Sequence, residues 1–329
     1  MDVSVILATH RRHEKLARCI AGLSRQTLAP DRFEVLVGVD GEDPAAAAAA
    51  ESAWTSPGVL RVSQCRALGP NAARNHVLAK ARGRYVVSLN DDVVPDPRLL
   101  EIHLAEQRAA EARGKPAIIT GHAPWKRHAD DSLFDRLVRE TSMLFFYDRM
   151  LAPGAPPDYD WGFRHCFGLN FSAPLDAVRA AGLFTVMPDT YGYDELELAF
   201  RMTRRGMPVL FRPEAVAEHD HRYSPREVLD REFRLGEAAW KYASKCPEFA
   251  AAVFGRDITA AAELAYSREF VERERPAAER LERSFLALAE IPSGAVGGPH
   301  APALINLLYE QHLLLKRWMW RRGLLNASR

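Results

Sequence analysis

YVVSLNDDVVPDP, residues 85–97, sets an apolar run rich in β-branched residues directly ahead of Asn90, Asp91 and Asp92, and Pro95 and Pro97 end it. Such a run reads as a buried strand with two carboxylates held at its tip. In an open α/β sheet the binding crevice lies outside the carboxyl ends of the strands. Hard cations such as Mg²⁺ or Mn²⁺ take oxygen ligands, and Mg²⁺ uses only one or two protein carboxylates beside substrate phosphates. The tip therefore points to a metal-bound, phosphorylated ligand. Adjacent aspartates after a strand are also ordinary turn or cap chemistry, so this segment alone leaves both readings open.

Upstream of that strand the chain alternates in a regular way. Residues 3–8 form a short buried-strand pattern, helical periodicity follows through Leu16, Ile20 and Leu23, and residues 33–39 are again strand-like. Asp43 and Pro44 read as N-cap and first helical residue ahead of the alanine run 45–50. A third strand at 59–63 and a third helix at 70–81 lead into the strand at 85–89; a helix over 97–111 and a strand at 117–120 come after it. This βαβα order predicts a parallel sheet with helices on both faces. Further on, residues 152–159, with Pro153, Gly154, Pro156 and Pro157, read as a loop; a strand at 166–172, helices at 174–181 and 194–205, and a strand at 209–211 follow. From Pro225 onward the pattern is wholly helical, with segments at 226–245, 260–273, 277–290 and 303–321.

The 329 residues can bury a large core, as one large domain or two smaller ones. A formal net charge of +1 offers no global field for nucleic acid, which disfavours that class of partner. Cys19, Cys65, Cys166 and Cys246 are scattered with no Cys-x-x-Cys pair, so neither a zinc knuckle nor a disulfide framework is indicated and a reducing compartment fits. Met1 leads straight into an apolar strand pattern, and no stretch of eighteen apolar residues occurs. The expectation is a cytoplasmic protein that does not span a membrane.

Three strand ends carry polar or glycine-containing clusters: Thr9-His10-Arg11-Arg12, Asp40-Gly41-Glu42-Asp43 and Asn90-Asp91-Asp92. In a parallel sheet all three meet at one edge, where helix N-termini favour phosphate. Gly69-Pro70-Asn71-Ala72-Ala73-Arg74-Asn75 opens a helix beside them and brings Arg74, a charge-assisted donor for phosphate. In this order the elements resemble the family 2 inverting glycosyltransferases with the GT-A fold. The resemblance rests on Thr9 to Arg12, Asp40-Gly41, Gly69 with Ala73-Arg74-Asn75, and Leu89 to Asp92. It continues through Asn170 to Ala173, Ala181-Gly182-Leu183-Phe184, Gly192-Tyr193-Asp194-Glu195, Arg201 to Gly206 and Pro213 to His219. It covers about residues 2–225; Asn90, Val39 and Glu42 depart from the family pattern.

That resemblance implies a Rossmann-like, mostly parallel sheet flanked by helices, with a helical C-terminal extension. Residues 1–225 would be the glycosyltransferase domain, its nucleotide-binding half about 1–122 and its acceptor half about 123–225, and 226–329 the helical region. The implied donor is a nucleoside diphosphate sugar, UDP-linked in preference to GDP- or dTDP-linked, and the acceptor a carbohydrate or glycoconjugate hydroxyl. Thr9 and Asp40 would contact the nucleoside base, Arg11 the nucleotide, Arg74 the base or diphosphate, and Asp91 the ribose or diphosphate. Asp92 would be the principal ligand of Mn²⁺ or Mg²⁺, with His219 a metal or phosphate contact and His221 in reserve. Inverting transfer also needs a base within reach of the acceptor hydroxyl. The family's Glu-Asp order is Asp194-Glu195 here, which maps the base to Glu195 with Asp194 beside it.

Plainer readings compete at several of these positions. Asp194 with Glu197 could form a capping box, Arg201 an i,i+4 pair with Glu197, and Trp125 and Trp161 could pack in place of stacking on a sugar. The last helix mixes Leu313, Leu314, Leu315, Trp318 and Trp320 with Lys316, Arg317, Arg321 and Arg322, a pattern that fits peripheral contact with an anionic membrane. Packing on the core or in a homo-oligomer is the more economical reading. Other functional classes are a non-catalytic sugar-nucleotide or carbohydrate-binding protein and a nucleotidyltransferase; Thr9 to Arg12 lacks the glycine expected of the latter's triphosphate loop. No Gly-x-Gly-x-x-Gly turn follows the first strand, which argues against a dinucleotide-dependent oxidoreductase.

Overall fold

The computed structural model describes residues 1–298 and 300–329. Its elements in order are β1 (Val3–Thr9), α1 (His13–Leu23), β2 (Phe33–Asp40), α2 (Pro44–Ala53), β3 (Val59–Cys65), α3 (Pro70–Leu78), β4 (Tyr85–Asn90), β5 (Val93–Pro95), α4 (Leu99–Ala112) and β6 (Ile118–His122). There follow α5 (Leu133–Glu140), α6 (Tyr147–Met150), β7 (Asn170–Pro174), α7 (Leu175–Ala180), α8 (Asp194–Thr203), β8 (Val209–His219), α9 (Pro225–Lys245), α10 (Pro247–Phe254), α11 (Ala261–Ala289) and α12 (His300–Ala327). The chain divides into two compact units, one of residues 1–126, 150–189 and 194–221, the other of 127–149, 190–193 and 222–329.

The first unit is built on an eight-stranded sheet in the order β3-β2-β1-β4-β7-β6-β8-β5. β1 runs parallel to β2 and β4, and β2 to β3. The register pairs Ala8 with Asn90 and Thr9 with Val39, so the ends of β1, β2 and β4 lie side by side. The sequence pattern predicts this convergence, because parallel strands joined through helices bring their carboxyl ends to one edge. β7 is antiparallel to both β4 and β6, and β5 to β8, which makes the sheet mostly rather than wholly parallel. The apolar faces of Ile6, Leu36, Val77, Val86, Ile118, Phe171 and Leu198 meet in one buried cluster beneath it. Asp43 caps α2, its carboxylate accepting from Ala46 N at 3.3 Å, with Pro44 at the first helical position.

The second unit is helical. α9 and α12 cross so closely that a Cβ on Gly236 would stand 1.9 Å from Trp320 O, and one on Gly323 1.9 Å from Phe233 O. The chain here keeps glycine because backbone meets backbone. Tyr193, with φ +64, is embedded in this unit: its hydroxyl accepts from Trp320 Nε1 at 3.1 Å and its ring packs edge-on against Tyr242, Phe249 and Phe254. α11 is continuous through Pro276, where the periodicity predicts a break; Ala278 and Phe285 beyond the proline are buried, and that packing carries the helix on. Leu315, Trp318 and Arg321 of α12 are buried too, Trp318 donating to Val271 O and Arg321 paired with Glu263. Among the described residues no helix is long and apolar enough to cross a membrane.

Candidate functional site

Asp91 and Asp92 leave the end of β4 buried, 4 % and 5 % exposed, where a carboxylate pair needs compensation. Thr9 Oγ1, at the end of β1, donates to Asp91 Oδ2 at 2.7 Å. Arg12, the residue before α1, places Nη1 3.2 Å from Asp91 Oδ1 and 2.9 Å from Asp92 Oδ2. From β8, His219 Nε2 stands 3.7 Å from Asp92 Oδ1, an ion-pair distance beyond hydrogen bonding, and His221 Nδ1 lies 3.4 Å from Oδ2. Lys15 of α1 reaches His221 Nδ1 at 2.5 Å. Asp220 between the two histidines is paired with Arg18 and Lys126, and its amide donates to Asp92 O at 2.8 Å. Trp125 packs against His219, ring centres 4.2 Å apart, and so serves as a support for that imidazole.

These surroundings drive the two carboxyls apart. Burial raises Asp91 and the charge of Asp92 raises it further, more than Arg12 and Thr9 lower it. Burial also pushes Asp92 upward, but His219, Arg12 and His221 outweigh it and hold its carboxyl well below the ordinary range. Burial depresses His221 to about 4, with Asp92 opposing and Lys15, His219 and Arg12 reinforcing, so its ring is neutral at pH 7. Splitting one acidic pair in this way is a mark of functional sites.

Whether a divalent cation suits this place depends on the donors present. Asp92 Oδ1 is buried with no hydrogen-bond partner among the described residues, and the adjoining imidazoles are ligands that Mn²⁺ accepts more readily than Mg²⁺. No three or more His, Cys, Asp or Glu side chains among the described residues form a metal-holding group by themselves. The donor set fits a cation held by one or two protein ligands and completed by phosphate oxygens.

The remaining sequence-selected residues fall into two groups. Asp40, at the end of β2, accepts the amides of Leu68 and Gly69 at 3.0 Å each and fixes the loop that opens α3. Arg74, buried on α3, joins the two carboxylate centres: Nη2 lies 3.0 Å from Asn90 Oδ1 and 3.2 Å from Glu195 Oε1, Nη1 donates to Asn71, and the guanidinium lies over Phe184. Asn71 in turn donates to Asp194 Oδ1 at 3.0 Å. Arg74 thus touches the proposed base and the strand tip at once. Arg11 is different: it is exposed with φ +53, and Arg12 is the residue that reaches the aspartates.

Asp194 and Glu195 open α8 immediately after the left-handed Tyr193. Glu197 does not serve as a capping partner; it holds Arg201 through two contacts of 2.6 and 2.7 Å and accepts from Thr185. Glu195 lies against Gly168, where an added Cβ would come 1.9 Å from Oε1. Sequence reasoning missed Arg12, Lys15, Asn71 and Gly168 as site residues. Arg12 closes a motif already singled out, whereas Gly168 carries no local signal, because its partner is 27 residues away.

Comparison with known proteins agrees with this architecture. Residues 4–155 match the model of glycosyl transferase family 2, a segment that holds the β1, β2 and β4 tips and ends before Glu195. Validoxylamine A glucosyltransferase of Streptomyces hygroscopicus subsp. limoneus is 26% identical over 278 residues, 78% of this chain. The chain spans 60% of the length of that curated relative. Among solved structures, the mannosyltransferase PcManGT of Pyrobaculum calidifontis, in complex with GDP-Man and Mn2+, superposes with a TM-score of 0.59 at 17% identity, covering 99% of this chain and 85% of that one. S. aureus TarS 1-349 in complex with UDP-GlcNAc gives 0.53 at 15% identity, covering 98% and 90%. These two likenesses establish the fold, a GT-A arrangement.

Proposed function

We propose that this chain, whose residues 4–155 match the model of glycosyl transferase family 2, moves a sugar from a UDP-linked donor to an acceptor hydroxyl with inversion at the anomeric carbon. The observation that carries the reading is Arg74, one guanidinium nitrogen within 3.2 Å of both Asn90 at the strand tip and Glu195. A donor-holding centre and a carboxylate base are thereby tied into one site. The sugar nucleotides bound in those two solved structures, GDP-Man with Mn2+ and UDP-GlcNAc, support a nucleoside diphosphate donor.

In this mechanism Thr9 and Asp40 border the nucleoside, with Asp91 toward the ribose or diphosphate. Asp92, with His219, would hold a divalent cation, which when bound would supply positive charge to offset the negative charge that develops on the departing diphosphate. Glu195 takes the acceptor proton as the hydroxyl attacks, inverting the carbon because attack comes from the face opposite the diphosphate. Arg74 holds Oε1 of that carboxylate at 3.2 Å, and its second oxygen has no hydrogen bond among the described residues. That oxygen is the one assigned to the proton. Asn71 holds Asp194 and so anchors the first turn of α8, which presents Glu195.

The test is Glu195→Gln beside Asp194→Asn, with donor binding followed by thermal shift and transfer by mass spectrometry over a panel of glycoside acceptors. Glu195→Gln is expected to keep the nucleotide shift and to lose transfer by a factor on the order of 10² to 10⁴. Full transfer by Glu195→Gln together with loss in Asp194→Asn would move the base to Asp194. Binding of sugar nucleotides by the wild type with no transfer to any acceptor would favour a non-catalytic binding protein.

A further inference from the structure

Arg12 links solvent to the buried carboxylate pair. Its side chain is 45% exposed, yet one terminal nitrogen bridges two carboxylates that are 5% and 6% exposed. It is thus a cation set over the solvent side of the pair. Arg12 contacts Asp92 through Oδ2 and leaves Oδ1 to a divalent ion, yet two cations on one carboxylate repel each other. The guanidinium can withdraw because it reaches in from the residue before α1 on a long, half-exposed stem. Phosphate oxygens are also favoured partners of its planar donor fork.

We propose that Arg12 is a built-in counter-ion of the Asp91–Asp92 centre, one that yields the carboxylates to an incoming divalent cation and moves to the donor diphosphate. The inference rests on the donor and metal reading above and adds a consequence to it: cation and nucleotide bind in a coupled way. Without nucleotide the cation must displace Arg12 with no anion to receive it. With nucleotide present the diphosphate receives the guanidinium, and by linkage each ligand raises the affinity for the other by the same factor. Lys15, held on His221, remains as a fixed positive charge beside the exchange.

The experiment titrates Mn²⁺ into full-length protein, with the free ion followed by electron paramagnetic resonance, in the absence and presence of UDP. In the wild type UDP is expected to tighten Mn²⁺ binding by about tenfold or more, within the usual coupling range. Arg12→Met is expected to bind Mn²⁺ alone roughly fivefold more tightly, the scale of a half-exposed charged pair, and UDP alone more weakly. Its coupling factor falls accordingly. Arg12→Lys, which keeps the charge without the fork, is expected to lie between the two and provides the readout if Arg12→Met does not fold. Mn²⁺ affinity that is unchanged or weaker in both variants, in a wild type that binds Mn²⁺ with UDP, would overturn the role of Arg12 alone. A wild type that binds neither Mn²⁺ nor UDP would overturn the donor reading as well.

Discussion

Gly168→Ala probes the position of Glu195 without touching its chemistry. A Cβ built on Gly168 would lie 1.9 Å from Glu195 Oε1, 2.2 Å from Cδ and 2.5 Å from Cγ, whereas real Cβ contacts stay beyond 3.0 Å. The carboxyl must therefore retreat by at least about 1 Å, a misplacement that can cost a factor on the order of 10² in rate. That corresponds to about 2.7 kcal/mol in the barrier. The obstacle is the end of a flexible side chain, and Gly168 is not in the left-handed region, so the fold should absorb the methyl at small cost. The assay is steady-state release of the nucleoside diphosphate with acceptor present, with kcat and KM separated, beside melting temperature and nucleotide binding. The expected result is kcat lower by about 10² with little change in donor KM or melting temperature. An unchanged kcat would refute the placement of the base. A large fall in melting temperature would instead assign Gly168 to the core.

Asp92→Ala is expected to abolish the Mn²⁺-dependent part of nucleotide binding measured by calorimetry, and an unchanged Mn²⁺ dependence would remove the metal assignment. His103, fully buried between Ser172 and Asn170, is depressed to about 4 by burial, against the opposing effect of Asn170 and Glu106. The unfolded chain takes up that proton below about 6.5 and the native one does not until about 4, so this stabilisation is complete above pH 6.5 and is lost as pH falls toward 4. The loss is on the order of 3 kcal/mol, read as a urea midpoint that falls more steeply with acid in the wild type than in His103→Gln; parallel pH profiles would contradict it. Gly236→Ala sets a methyl against Trp320 O and should destabilise by about 1–3 kcal/mol or more, seen as a lowered melting temperature. A melting temperature equal to the wild type would mean that α9 and α12 part easily.

The sequence is most legible where local pattern and topology agree. The runs at 3–8, 33–39 and 85–89 are apolar, parallel strands need helical crossovers, and a parallel register brings Thr9, Asp40 and Asn90 to one edge. Less legible is what depends on distant partners. β7 enters the sheet antiparallel between β4 and β6, a choice its five residues do not encode alone. Residues 127–149 and 190–193 join the helical unit through contacts far along the chain, such as that of Tyr193 with Trp320. Arg74 shows both sides of this: its charge and its place on α3 single it out, while its contact with Glu195 spans 121 residues and follows only from the folded chain.

The central claim is that the ends of β1, β2 and β4 hold a nucleoside diphosphate together with a divalent cation. It is tested most directly by the melting temperature of the full-length protein with UDP, GDP and dTDP, each with and without Mn²⁺. Ligand at about 100 times its dissociation constant stabilises the folded state by about 2.7 kcal/mol, which is a rise of several degrees. The account expects that rise for UDP with Mn²⁺ and a much smaller one for UDP or Mn²⁺ alone. No shift with any nucleotide, with or without Mn²⁺, would contradict it.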